Sequence, residues 1–271
     1  MSYGYVIGVV INAIMVAAAL WPPARPRRLA LVAYQVGLPG NEIPLLLMLL
    51  FTVSTVDAVT SNRPVSVADW VVLAAGIAII AGYGRLHINC VLARRVMSEA
   101  VGAELAAPAW WRTIFPWPIK PPAVQRLRDL PYGGLVRRQR MDILRRRDAT
   151  CRNPVLVYLH GGGYFTGNKN FEARALRYRF AARGWVVVSA NYRLRPHVGW
   201  PEHLVDAKRV IAWVREHAEE YGMDADQIVL SGSSAGAHLS VLAALTQNDP
   251  ALQPGFTGAD TSVAGAVGLY G

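Results

Sequence analysis

Charge is missing from the start of this chain: no Asp, Glu, Lys or Arg occurs before Arg25. A secretory signal peptide opens with a positive region, so that reading of the first apolar run is disfavoured. Cysteine is almost missing too. Cys90 and Cys151 share no C-x-x-C spacing, so neither a disulfide framework nor a thiolate metal site is indicated. Acidic residues are scarce where basic ones gather. Between Arg112 and Arg147 stand Arg112, Lys120, Arg126, Arg128, Arg137, Arg138, Arg140, Arg145, Arg146 and Arg147, against Asp129 and Asp142 alone. This stretch carries most of the net charge of +10. No recognition-helix, zinc-finger or aromatic RNA-binding signature accompanies it, so nucleic acid is not expected as a partner.

What is present falls into two parts. Tyr3 to Trp21, Ile43 to Thr60 and Val65 to Gly84 are long apolar runs, the last two with one acid each, Asp57 and Asp69. Each is long enough as a helix to cross a hydrocarbon core of about 30 Å. The expectation is three transmembrane helices, with a Leu-Pro-Gly-Asn turn at 38 to 41 ahead of the second. Arg25, Arg27 and Arg28 follow the first run and Arg85, Arg94 and Arg95 the third, whereas only Arg63 lies between the second and third. The positive-inside rule then puts the N-terminus outside and everything after the third helix in the cytoplasm.

Trp110, Trp111, Phe115 and Trp117 precede the basic stretch, and Pro116, Pro118, Pro121 and Pro122 forbid a regular helix there. One reading is an interfacial linker resting on an anionic leaflet, where a basic residue close to the surface contributes about 1 kcal/mol. The other is a solvated basic face of the following domain. The expected organisation is transmembrane helices over 1–90, a basic and aromatic linker over 91–127, and a soluble domain over 128–271.

From Pro154 short apolar runs alternate with amphipathic stretches, the pattern of an α/β fold with a parallel sheet. Strands are expected at Val155 to Leu159, Trp185 to Ala190, Ile228 to Leu230 and Val263 to Leu269. Helices are expected at Phe171 to Arg183, Pro201 to Tyr221 and Ala235 to Thr246. Two motifs stand at strand ends, where open α/β sheets place their active sites. His160-Gly161-Gly162-Gly163 follows the first strand, and its glycines allow a tight turn that exposes N–H groups to an oxyanion. Gly232-Ser233-Ser234-Ala235-Gly236 joins a strand to a helix as a G-x-S-x-G nucleophile elbow.

With these motifs in order, residues 128 to 271 resemble the N-terminal half of the α/β-hydrolase domain in hormone-sensitive-lipase-like and kynurenine-formamidase-like carboxylesterases. The matching stretches also include Pro131-Tyr132-Gly133, Met141-Asp142-Ile143-Leu144, Ala190-Asn191-Tyr192-Arg193-Leu194 with Pro196, and Asp206-Ala207. The resemblance implies that Ser234 is the nucleophile and that the N–H groups of Gly162, Gly163 and Ala235 hold the oxyanion. His160 and Gly161 would order the glycine loop, and Gly232 and Gly236 would flank the elbow. It implies a small-molecule or lipid ester substrate, with no cofactor and no metal. An amidase or formamidase of the same mechanism stays open.

The resemblance also implies the chain order nucleophile, acid, histidine. After Ser234 the sequence offers only His238 as histidine and only Asp249 and Asp260 as acids. His238 falls one turn into the elbow helix. His197 and His203 could approach the pocket from the other side, and His217 reads as a surface residue. No triad Asp and His are therefore expected in this chain. A fragment of a longer product, a truncated relic acting as a membrane-bound binding protein, and completion by another chain are the three accounts, the first preferred. Oligomeric state leaves no trace in the sequence.

Overall fold

The computed structural model describes all residues except 62, 106, 108–109, 116, 135–137, 150–151 and 271. Pro116, Arg137 and Cys151, named above, lie outside the described residues. The chain divides into two compact units, Met1–Trp117 and Pro118–Gly271.

The first unit is helical: α1 (Tyr3–Leu20), α2 (Arg27–Glu42), α3 (Pro44–Ser61), α4 (Val67–Val101) and a short α5 (Trp110–Ile114). Helices α1, α3 and α4 are long and apolar enough to cross a membrane. Tyr5, Val9, Val16, Phe51, Ala58, Ile79, Tyr83 and Leu86 form their shared core. Polar groups inside it are partnered: Tyr5 donates to Thr55 Oγ1 at 3.1 Å and Tyr83 to Asn12 Oδ1 at 2.6 Å. The N-terminal ammonium meets Asp69 at 2.6 Å, and Asp69 caps α4 together with Ser66. Helices α1 and α4 therefore begin on the same side of this unit.

Two sequence expectations change here. The turn at 38–41 is not formed, because α2 runs through Pro39 to Glu42. Its Gly37 lies so close to the α1 backbone that a Cβ would stand 2.9 Å from Ala19 N, and this packing overrides the local turn signal. The third apolar run does not end its helix at Gly84. Nothing between 84 and 101 breaks a helix, and α4 continues to a left-handed cap at Gly102.

The second unit is a six-stranded sheet with helices on both faces. Its strands are β1 (Val124–Pro131), β2 (Arg140–Arg146), β3 (Asn153–Leu159), β4 (Val186–Ala190), β5 (Met223–Ser233) and β6 (Gly265–Leu269), in the order β1-β2-β4-β3-β5-β6. The sheet is mixed, which corrects the expected parallel one: β1 pairs antiparallel with β2, and β2 antiparallel with β4. The basic stretch hid both strands, because Arg126 and Arg128 interrupt the apolar positions of β1 and Arg140, Arg145 and Arg146 close the ends of β2. Strands β4, β3, β5 and β6 are parallel.

Alternation along the strands decides which helix covers which face. Val155, Val157 and Leu159 of β3, with Val186, Val188 and Ala190 of β4, join the larger core with α7 (Glu202–Glu216) and α9 (Ala235–Leu245). Leu156 and Val187 face the other way, against Ala181 of α6 (Arg174–Ala182). The long helix expected over 201–221 breaks at His217 into α7 and a short α8 (Ala218–Tyr221). From β3 the chain passes to β4 on one side and later to β5 on the other. That reversal is the switch point at which an open α/β sheet places its binding crevice, at the C-terminal ends of β3 and β5.

Candidate active site

Both motifs meet at that crevice. Leu159 and Gly232 are register partners across β3 and β5, so the glycine loop and the elbow leave the sheet side by side. A Cβ on Gly232 would overlap Gly236, and one on Gly236 would overlap the carbonyls of Leu159 and His160. The two flanking glycines are thus required by close backbone approach.

Ser234 sits between them at φ 50° and ψ −116°, a conformation that L-residues rarely adopt. Its N–H donates to Leu269 O at 2.9 Å, fastening the turn to β6. Helix α9 starts at the next residue, so the positive end of its dipole lies at Ser234 and Ala235. Ser234 is partly exposed while its neighbours Ser233 and Ala235 are buried. Ser233 exchanges a 2.6 Å hydrogen bond with Tyr158, whose phenol burial pushes up to about 12.

The glycine loop turns tightly, with Gly162 O accepting from Phe165 N and Thr166 N, both at 3.1 Å. Gly162 and Gly163 take φ 115° and 61°, which favour glycine. Among the described residues, neither of their N–H groups has a hydrogen-bond partner. The Gly161 N–H is occupied, donating to Glu172 Oε2 at 2.7 Å. Two amides of the loop are therefore available to an oxyanion and the third is not.

His160 lies beneath this loop. It is fully buried, stacks on Tyr192 with centroids 4.4 Å apart, and its Nδ1 lies 2.7 Å from Gly161 O. That carbonyl only accepts, so Nδ1 carries the proton. Burial lowers the His160 pKa and keeps the ring neutral. Tyr192 donates to His160 O at 2.8 Å, and burial raises its phenol pKa.

The other histidines are dispersed. His238 is exposed on α9, with Nδ1 2.5 Å from the Tyr164 hydroxyl. His203 is buried against Tyr164, with centroids 4.9 Å apart, and burial lowers its pKa. His197 is exposed on a loop, and His217 stacks on Trp213. Asp206 is buried and tied to Arg193 at 2.9 Å and Gln139 at 2.8 Å. Asp249 caps a 3-10 turn and Asp260 pairs with Arg215.

Sequence reasoning gave no role to Glu172, Tyr164 or Tyr192, although Tyr192 stands in a stretch that carries the resemblance. Glu172 and Tyr192 bond the loop backbone and Tyr164 follows it directly. Glu172 was read as part of a helix from Phe171. The helix starts instead at Arg174, because Glu172 and Ala173 take φ 55° and 42° where the carboxylate reaches Gly161. A glutamate in a helical pattern carries no signal of such a role.

Known proteins converge on this unit. The BD-FAE family model matches residues 141–271. "Probable carboxylic ester hydrolase LipM" of Mycobacterium tuberculosis is 50% identical over 145 residues, covering 53% of this chain and 34% of that protein. "Esterase LipC" of the same organism is 44% identical over 135 residues, covering 49% and 34%. This chain spans about a third of the length of the curated relatives it matches. The solved structure "Bifunctional GH43-CE Bacteroides eggerthii" aligns with a TM-score of 0.50 at 24% identity, covering 53% of this chain and 20% of that one, a likeness of fold alone.

Proposed function

We propose that the chain is a membrane-anchored serine hydrolase of carboxylic esters, with its α/β unit in the cytoplasm. The observation that carries this reading is Ser234, held at a strained elbow beside two unpartnered loop amides. The esterase relatives, similar over this unit, support the substrate class.

In this mechanism Ser234 Oγ attacks the ester carbonyl carbon and loses its proton to a general base. The tetrahedral oxyanion takes hydrogen bonds from the N–H groups of Gly162, Gly163 and Ala235. Losing one such donor typically costs about 3 kcal/mol in the transition state. The C–O bond to the alcohol breaks, leaving an acyl-Ser234 ester that water hydrolyses to the carboxylate. His160 orders the loop and does not act as base, because its one protonated nitrogen faces Gly161 O and its ring is buried. We assign neither the base nor the triad acid to any described residue. Helices α1, α3 and α4 supply the anchor, and the segment between α4 and β1, with Trp111, Arg112, Phe115, Trp117 and Lys120, rests on the anionic leaflet.

A fluorophosphonate probe tests the nucleophile: labelling is expected in the full chain and lost in Ser234→Ala. Unchanged labelling of the variant overturns the assignment. The engagement of His238 by Tyr164 favours a second reading, a catalytically silent membrane-bound binding protein. No labelling of the wild-type chain decides for it. Orientation is tested with a cysteine added at the C-terminus in a Cys90→Ser/Cys151→Ser background. It should resist an impermeant thiol reagent in intact cells, and ready labelling places the unit outside.

A further inference from the structure

Tyr164 is the residue immediately after the glycine loop, and its backbone takes φ 68°, unusual for a bulky side chain. That conformation turns the ring across the crevice onto the elbow helix. Its hydroxyl lies 2.5 Å from His238 Nδ1 and 3.3 Å from Ala235 O. His203 packs against the ring from one side and Tyr192 meets it edge-on from another, with centroids 4.9 and 6.4 Å away. On the loop's opposite flank, Glu172 grips Gly161 N–H. The Tyr164 carbonyl accepts from Arg195 N at 2.8 Å, so the backbone there is fixed as well.

We infer that Tyr164 and His238 form a positioning pair that sets the oxyanion loop against the elbow. The inference rests on the hydrolase reading above and assigns His238 a role other than general base. The two N–H donors of Gly162 and Gly163 belong to the loop, whereas Ala235 N–H belongs to α9. A three-donor oxyanion site works only if these two elements keep a fixed separation, and misplacement by about 1 Å can cost on the order of 100-fold in rate. The Tyr164 hydroxyl spans them, and its short bond to His238 Nδ1 holds it there beside its longer one to Ala235 O. This link needs a hydrogen-bonding partner at the Nδ1 position and a hydroxyl on the ring, but no proton transfer.

The test compares Tyr164→Phe, His238→Ala, His238→Gln and the Tyr164→Phe/His238→Ala double variant in the full detergent-solubilised chain. Gln keeps an amide that can accept from the phenol or donate to it. Fluorophosphonate labelling of Ser234 should slow about tenfold in Tyr164→Phe and in His238→Ala. The double variant should be no slower than either single one, and His238→Gln should recover most of the rate. Independent, multiplying effects of the two single changes overturn the pair, as does a His238→Gln variant as slow as His238→Ala. Amide hydrogen exchange over residues 160–167 reads the same link without chemistry. It should quicken in Tyr164→Phe and His238→Ala and stay at the wild-type rate in His238→Gln. Unchanged exchange in all variants overturns the inference even if Ser234 labels. Quickened exchange in a chain that never labels upholds the pair and rejects the hydrolase reading.

Discussion

Gly236 at the start of the elbow helix lies directly against the carbonyl oxygen of Leu159 at the end of β3, with no room between them for a methyl group. This contact brings the nucleophile turn and the glycine loop to one place. The neighbours are backbone atoms held in the parallel β3–β5 ladder, so no side chain can swing aside. Gly236→Ala is expected to destabilise the α/β unit by about 3 kcal/mol, the upper end for overpacking. Gly163→Ala is the contrast. Open space surrounds that position, and only its φ of 61° resists a side chain, at about 1–2 kcal/mol. Denaturant titration followed by near-ultraviolet circular dichroism checks both, and equal losses would refute the steric account.

Ser234 holds a backbone that glycine adopts more readily. Strain of this kind costs about 1–3 kcal/mol. Ser234→Gly should release it, less about 0.4–1 kcal/mol for the greater freedom of glycine in the unfolded chain. A net gain of about 1 kcal/mol, with loss of probe labelling, is therefore expected. Ser234→Ala should lose labelling without that gain. Thermal melting of the two variants side by side decides the matter, and a Gly variant no more stable than the Ala variant would remove the strain from the argument.

The parts of this site legible in the sequence are those where backbone demands a residue type. Gly162, Gly163, Gly232 and Gly236 each answer to a positive φ or a close approach, and such demands leave short motifs. The parallel strands were legible because β3 and β4 are buried on both faces and read as apolar runs. What stayed hidden depends on long-range partners. Tyr164 meets His238 across 74 positions, and Glu172 meets Gly161 only because the chain abandons a helical path to reach it. Strands β1 and β2 were hidden by arginines, and α2 by a Pro-Gly pair that packing against α1 overrides.

His160 and His203 are both buried, and burial lowers the pKa of each below the ordinary 6.5. In the window between the folded and unfolded values the unfolded chain binds more protons, so stability there rises with pH. Their contribution is fully present above about pH 6.5 and is lost as pH falls through the folded values. His160→Asn is expected to flatten this acid limb while also loosening the glycine loop. His203→Gln should flatten it with the loop contacts of His160 intact. Unfolding midpoints between pH 7.5 and 4.5 measure the slope. Acid limbs unchanged in both variants would mean that neither histidine is kept neutral by the fold.

On the α6 face of the sheet, Asp142 is completely buried and serves several donors. Lys169 Nζ reaches it at 2.5 Å, Arg126 bonds its other oxygen, and Asp129 N donates at 2.9 Å. Lys169 is itself 4% exposed, and its backbone carbonyl accepts from Arg177 and Ser189. This cluster anchors the segment that leads from the glycine loop to Glu172. Asp142→Asn keeps the shape but leaves the buried ammonium with only the exposed Asp129, 2.8 Å away. Breaking a buried pair in this way costs about 3–5 kcal/mol, whereas Asp129→Asn should cost less than about 1 kcal/mol because that carboxylate lies at the surface. Adding Lys169→Met to Asp142→Asn removes the stranded charge and should restore part of the loss. Denaturation midpoints of the three variants test this. A double variant less stable than Asp142→Asn alone would show that the lysine stabilises the fold through its other bonds and not as the partner of Asp142.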